Sequence, residues 1–196
     1  MRKSVQQSRR GVVLGVASAA FFSKWAFGAQ VACSSSQLAV GRSAMERAKA
    51  GMNTSISRLN SPNTDTINKI QEWFGSVTPG MVSNVRGVLT RAVVFADGAS
   101  FTCLNASQGV YAYVYSNSPF GITLGDLFFP APDSGFDSKP GILVHEMTHF
   151  TLVGGTGDAG GRYGVAAARD RAKTDPALAI RTADNFEYFV ESIAFK

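Results

Sequence analysis

The first half of the chain repeats apolar residues at helical spacing. From Ser36 to about Asn60, Leu38, Met45, Ala48 and Met52 recur with charged residues between them, which predicts a long amphipathic helix. Ser61-Pro62-Asn63 marks a turn and a new start. A second helix then carries Ile67, Ile70, Trp73 and Phe74. Thr78-Pro79-Gly80 opens a third, with Val82, Val85, Val88, Leu89 and Ala92 facing inward. The aliphatic and aromatic residues of these stripes read as core.

The pattern changes near Gly98. Val110 to Tyr115 alternates, with Tyr111, Tyr113 and Tyr115 on one face and Val110, Ala112 and Val114 on the other. Gly121 to Phe129 reads as another strand, closed by Pro130 and Pro132. Asp137-Ser138 followed by Pro140 is a helix-start signal, and Ile142 to Phe150 fits the helix that follows. A helical half, a small sheet and further helices together predict an α+β domain.

The amino terminus obeys a different rule. A basic start (Met1 to Arg10) precedes the apolar Gly11 to Phe22, and small residues follow at Ala26, Gly28 and Ala29. That is the layout of an export signal over residues 1–29, with an apolar run too short to span a membrane. Ser8-Arg9-Arg10 followed by Gly-Val-Val-Leu resembles a bacterial twin-arginine signal. Residues 30–196 then make one domain, expected in the periplasm or outside the cell.

Removing the leader changes the charge. Five of the 19 basic residues (Arg2, Lys3, Arg9, Arg10 and Lys24) lie in it and no acidic residue does, so the rest carries 14 of each sign. A neutral mature chain gives no reason to expect nucleic acid or, after leader cleavage, a membrane as its partner; a monomer is expected. The two cysteines, Cys33 and Cys103, suggest a disulfide in an exported protein. The competing reading is that Val31-Ala32-Cys33 is a lipoprotein cleavage box, although Gln30 stands where that box wants an apolar residue.

The chemistry concentrates in His145-Glu146-Met147-Thr148-His149. Histidines four apart on a helix project from one face, one turn apart. Two neutral imidazole nitrogens at that spacing can bind one Zn²⁺, and the adjacent Glu146 can take a proton from a water at the metal. The chain has two histidines and both are in this motif, which a solvated helix face does not explain. A catalytic zinc usually takes three protein ligands, so the third must be a carboxylate. Asp158 lies nine residues past His149, beyond Gly154-Gly155; Glu187 or Glu191 lies farther on, where the gluzincin class finds its ligand.

The residues around Asp158 carry a resemblance. Gly155-Thr156-Gly157-Asp158 followed by Tyr163-Gly164 resembles the signature of the aspzincins, the family of deuterolysin and the peptidyl-Lys metalloendopeptidases. Similarity extends through Ala166-Ala167-Ala168 and Ala183-Asp184-Asn185-Phe186-Glu187-Tyr188-Phe189, and back through Ala112 to Tyr115 and Cys33 to Ser36. It looks closest to the peptidyl-Lys branch. The resemblance implies that His145, His149 and Asp158 hold one zinc, that Glu146 is the general base, and that Tyr163 donates a proton to the oxyanion. It implies that Asp184 and Glu187 read a lysine ammonium, and that Cys33 and Cys103 match one of the family's disulfides.

The family's tyrosine normally follows the aspartate by three residues; here Ala159-Gly160-Gly161-Arg162 makes that interval two residues longer. The expected protein is a secreted zinc endopeptidase of zincin-like architecture, acting on protein or peptide substrates on the amino side of lysine. The strand Gly121 to Phe129 is the expected edge for extended substrate. A gluzincin using Glu187, or a zinc-binding toxin or binding module disabled by the longer loop, are the rival readings.

Overall fold

The computed structural model describes residues 29–118 and 120–195, together with the backbone of 11–12. The strands and helices run β1 (Gly11–Val12), β2 (Gln30–Val31), α1 (Ser35–Asn60), α2 (Thr64–Phe74), α3 (Pro79–Ala96), β3 (Ser100–Leu104), β4 (Ala112–Val114), β5 (Gly121–Leu124), α4 (Lys139–His149), α5 (Val165–Thr174), α6 (Pro176–Ala179) and α7 (Ala183–Ala194). The α+β expectation holds. Apart from Gly11–Val12 and Ala29, the leader lies outside the described residues. No helix among the described residues is long and apolar enough to cross a membrane.

Local chemistry sets the helix boundaries. Ser34 starts α1 with a reciprocal cap: its hydroxyl accepts from the Gln37 amide while the Gln37 side chain accepts from the Ser34 amide. Asn63 and Thr78 cap α2 and α3 through their side-chain oxygens. Met45, Ala48 and Met52 of α1 are buried against α3, α4 and α7, and Trp73 and Phe74 of α2 pack on α7. Ile67, at the same helical spacing, faces outward instead.

The sheet order is β1-β4-β5-β3-β2. Its centre corrects one expectation. β5 is paired antiparallel to β4 on one side and parallel to β3 on the other, so it has no edge to offer a substrate. It also stops at Leu124, because Gly125 passes so close to Val110 that a side chain there would meet the Val110 carbonyl at 2.1 Å. The chain turns at that point, and Phe128 is buried from the turn and not from a strand. Within residues 29–195 the strands at the two edges are β2 and β4, and the outer side of β4 pairs in parallel with Gly11–Val12. The sheet lies beside α4, which touches β4 and buries every residue from Pro140 to His149.

Cys33 and Cys103 are joined by a disulfide that closes 70 residues of sequence and ties the start of α1 to β3. A crosslink of that span restricts the unfolded chain by about 4 kcal/mol in the chain-entropy treatment. Replacing both cysteines by serine should lower unfolding free energy by about that amount, read from urea denaturation. An unchanged midpoint would show that the crosslink contributes nothing to the fold.

Candidate active site

The site begins with the way α4 is held. Ser138 caps its first turn, accepting from the Gly141 amide at 3.2 Å. The buried carboxylate of Glu191, on α7, accepts from the Ser138 amide at 2.9 Å and from its hydroxyl at 2.8 Å, placing negative charge at the helix N-terminus. Gly141 makes room for it: a side chain there would stand 1.8 Å from the Glu191 carboxylate. Glu191, one of the carboxylates the sequence offers as a metal ligand, is therefore committed to anchoring the helix.

His145 and His149 share one face of α4, their rings 4.7 Å apart. After the helix ends, the chain turns through Val153 to Gly155 and returns alongside it. The Thr156 amide bonds the Thr148 carbonyl, and the Thr156 carbonyl accepts from His149 Nδ1 at 2.8 Å. That bond fixes the tautomer and turns His149 Nε2 toward Asp158. The next residue, Gly157, bridges to Thr182 just ahead of α7, bonding the Arg181 carbonyl and the Ala183 amide. Asp158 is thereby fixed against both α4 and α7.

The outcome is a convergence of three donors. Asp158 Oδ1 lies 3.2 Å from His145 Nε2 and 3.2 Å from His149 Nε2. Both Nε2 atoms are buried, with the Asp158 carboxylate as their common neighbour. Two imidazole nitrogens and a carboxylate oxygen within 4.8 Å of one another fit the three-ligand set of a divalent metal such as zinc. Burial opposes ionisation of Asp158, but the two histidines outweigh it and hold the carboxyl far below the usual range.

Behind His145 stands a second acidic group. Its Nδ1 lies 3.0 Å from Asp184 Oδ1 and 3.2 Å from Glu187 Oε2, both carboxylates of α7 and both buried. Burial disfavours charge on His145, yet Asp158, Asp184 and Glu187 together hold its ring well above the ordinary histidine range. Three residues apart on α7, the pair faces inward, as its spacing suggests. Glu187 approaches the outer nitrogen of His145, and among the described residues no donor group joins it to His149, so the ligand set of the gluzincin reading is not assembled there.

Glu146 is wholly buried beside His145. Tyr163 is nearby despite the longer loop, its ring 6.4 Å from that of His145. Burial, then the charge and hydrogen bond of Asp158, then the charges of Asp184 and Glu146 push the Tyr163 phenol up, so it keeps its proton across ordinary pH. All the residues expected from sequence are thus within one neighbourhood. Three supporting groups escape a sequence reading: the Thr156 carbonyl, Glu191 as an anchor, and Arg171, which is 5% exposed and bonds the Arg162 carbonyl and Asn185. The inward phase of Ala168 and Ala172 is the one signal that could have found Arg171.

Comparison with known proteins points the same way. Residues 59–191 match the family described as lysine-specific metallo-endopeptidase. A peptidyl-Lys metalloendopeptidase of Grifola frondosa is 38% identical over 82% of this chain and 45% of its own length. An extracellular protease of Aeromonas hydrophila is 35% identical over 82% of this chain and 46% of its own. This chain therefore spans about half the length of those relatives, whereas it covers 95% of a peptidyl-Lys metalloendopeptidase of Pleurotus ostreatus at 35% identity. A solved zinc peptidase from Grifola frondosa superposes with a TM-score of 0.75, at 38% identity, over 82% of this chain and 97% of that one. With its fold, its converging donors and its sequence all in agreement, the chain belongs to the aspzincins, the family of lysine-specific metallo-endopeptidases.

Proposed function

We propose that this chain is an exported zinc endopeptidase that cuts peptide bonds on the amino side of lysine. The observation that carries the reading is the meeting of His145 Nε2, His149 Nε2 and Asp158 Oδ1 beside a buried glutamate. The names of the relatives, which include peptidyl-Lys metalloendopeptidases and an extracellular protease, support it, as does the disulfide. The resemblance of the leader to a twin-arginine signal also supports export.

Zinc held by His145, His149 and Asp158 would supply Lewis acidity toward a water and the scissile carbonyl. The chain's own groups do the rest. Glu146 accepts the proton of the attacking water and delivers it to the leaving amine. Tyr163, kept protonated by its surroundings, donates a hydrogen bond to the oxygen on which negative charge develops. Extended substrate would pair with the open side of β4 once the leader is gone.

Specificity comes from the acid behind His145. Asp184 and Glu187 lie in a buried place where an ammonium gains two carboxylate partners and a neutral side chain gains none. A compact lysine head suits such a pocket better than a broad guanidinium.

Three outcomes are expected. Glu146→Gln should bind zinc normally but lose about 10²- to 10⁴-fold in kcat; a variant with a tenth of wild-type turnover would take the base role away from Glu146. Asp158→Ala should lose far more zinc affinity than Glu187→Ala, for which an outer-carboxylate role predicts a loss of about 10- to 100-fold. Metal titrations giving the opposite order would return the site to the gluzincin reading. Glu187→Gln, assayed at saturating zinc because Glu187 also meets His145, is the simpler test of the pocket, since Asp184 bonds the Gly164 amide at 2.9 Å as well. Its preference for lysine, read from the residue after each cut in a peptide digest, should fall about 30-fold or more. Undiminished preference would place the pocket elsewhere.

A further inference from the structure

Tyr163 is separated from Asp158 by a loop that cannot position it unaided. Ala159, Gly160 and Gly161 all have positive φ, and Gly160, Gly161 and Arg162 are exposed. Two adjacent glycines at an exposed site leave the backbone many alternative paths. The side chain of Arg162 offers little restraint, since its ion pair with Asp170 is 70% exposed on one side and 50% on the other.

Beside the hydrogen bond between Tyr163 and Asp158, the restraint on the backbone comes from residues outside the loop. Arg171, on α5, sends Nη2 to the Arg162 carbonyl at 2.5 Å and Nη1 to Asn185 Oδ1 at 2.6 Å. Asn185 is itself fixed, because its amide nitrogen donates to the Trp73 carbonyl at 2.6 Å and the Ala168 carbonyl at 3.0 Å. On the other side of the tyrosine, the Gly164 amide donates to Asp184 Oδ2 at 2.9 Å, while Asp184 Oδ1 lies 3.0 Å from the metal-facing histidine, His145. The peptide before Tyr163 is thus fastened to the core through Arg171, and the one after it through Asp184.

We infer that Arg171 is the positioning residue that holds the backbone of Tyr163 against the reaction centre, compensating for the exposed glycine loop that precedes it. The fork geometry explains the residue type. One planar guanidinium spans a backbone carbonyl and a side-chain amide in fixed directions, which a lysine ammonium on a flexible stem does not reproduce. The inference rests on the reading of Tyr163 as the hydrogen-bond donor to the oxyanion. A phenol displaced by about 1 Å would still let substrate bind but would support the charged transition state poorly.

The experiment is a double-mutant cycle with kcat, KM and zinc content measured for each protein. Tyr163→Phe tests the underlying reading: full activity in that variant would remove the donor role. Arg171→Lys should lower kcat about 10- to 100-fold with KM and zinc stoichiometry unchanged, and should add nothing when introduced into Tyr163→Phe. Arg162→Ala, which leaves the carbonyl in place, should retain wild-type kcat. An unaltered kcat in Arg171→Lys, or full additivity with Tyr163→Phe, overturns the inference while leaving the Tyr163 reading intact. Should Arg171→Lys fail to fold, hydrogen exchange of the wild-type protein serves in its place. The Gly164 amide, which follows the peptide that Arg171 holds and itself bonds Asp184, should then exchange much more slowly than that of Gly160, and equal rates would overturn it.

Discussion

Four carboxylates and two imidazoles are gathered in one place, all buried except the partly exposed Asp158: Glu146, Asp158, Asp184 and Glu187 around His145 and His149. Such a concentration of negative charge, withdrawn from water, is costly unless cations meet it. The arrangement divides the demand between two sides of His145. Its Nε2 side, with His149 and Asp158, suits a divalent metal; its Nδ1 side, with Asp184 and Glu187, suits a positive group from elsewhere. On the proposed reading, catalysis and lysine selection meet at one imidazole ring.

The scaffold exists to keep that charge in place. α4 is buried throughout, and Glu191 anchors its first turn from α7 where Gly141 leaves room. Thr156 turns His149, the Gly157 bridge sets Asp158, and α7 brings in both acids of the pair. Every group on this path is attached to a helix or to backbone already bonded to one, which supplies the sub-ångström placement that catalysis needs. The disulfide fastens the sheet to the start of α1 from the opposite end of the sequence.

How much of this could be read in the sequence depended on whether a residue's role leaves a periodic or a spaced trace. α1 to α4 declare themselves through apolar stripes and capping residues, and the two histidines through their four-residue spacing. β3 leaves little trace, because five residues with a mixed burial pattern make too short a signal. The strand at Gly121 is overextended by sequence, since Leu127, Phe128 and Phe129 continue the apolar run through what is a turn. Its edge position also fails, because strand order is a long-range property that no local pattern encodes. Arg171 hides among Arg169 and Lys173, where a basic run looks solvated. Asp158, Tyr163 and the acidic pair are legible through family resemblance, not through spacing.

The central claim is that one metal site on α4 drives cleavage before lysine. Its most direct test is mass-spectrometric mapping of the cuts that the leader-free protein makes in a denatured protein mixture, with a zinc chelator absent, present, and present followed by added zinc. The account predicts cuts concentrated immediately before lysine, abolished by the chelator and restored by zinc. Cuts that persist through chelation, or that fall without regard to lysine, would contradict it.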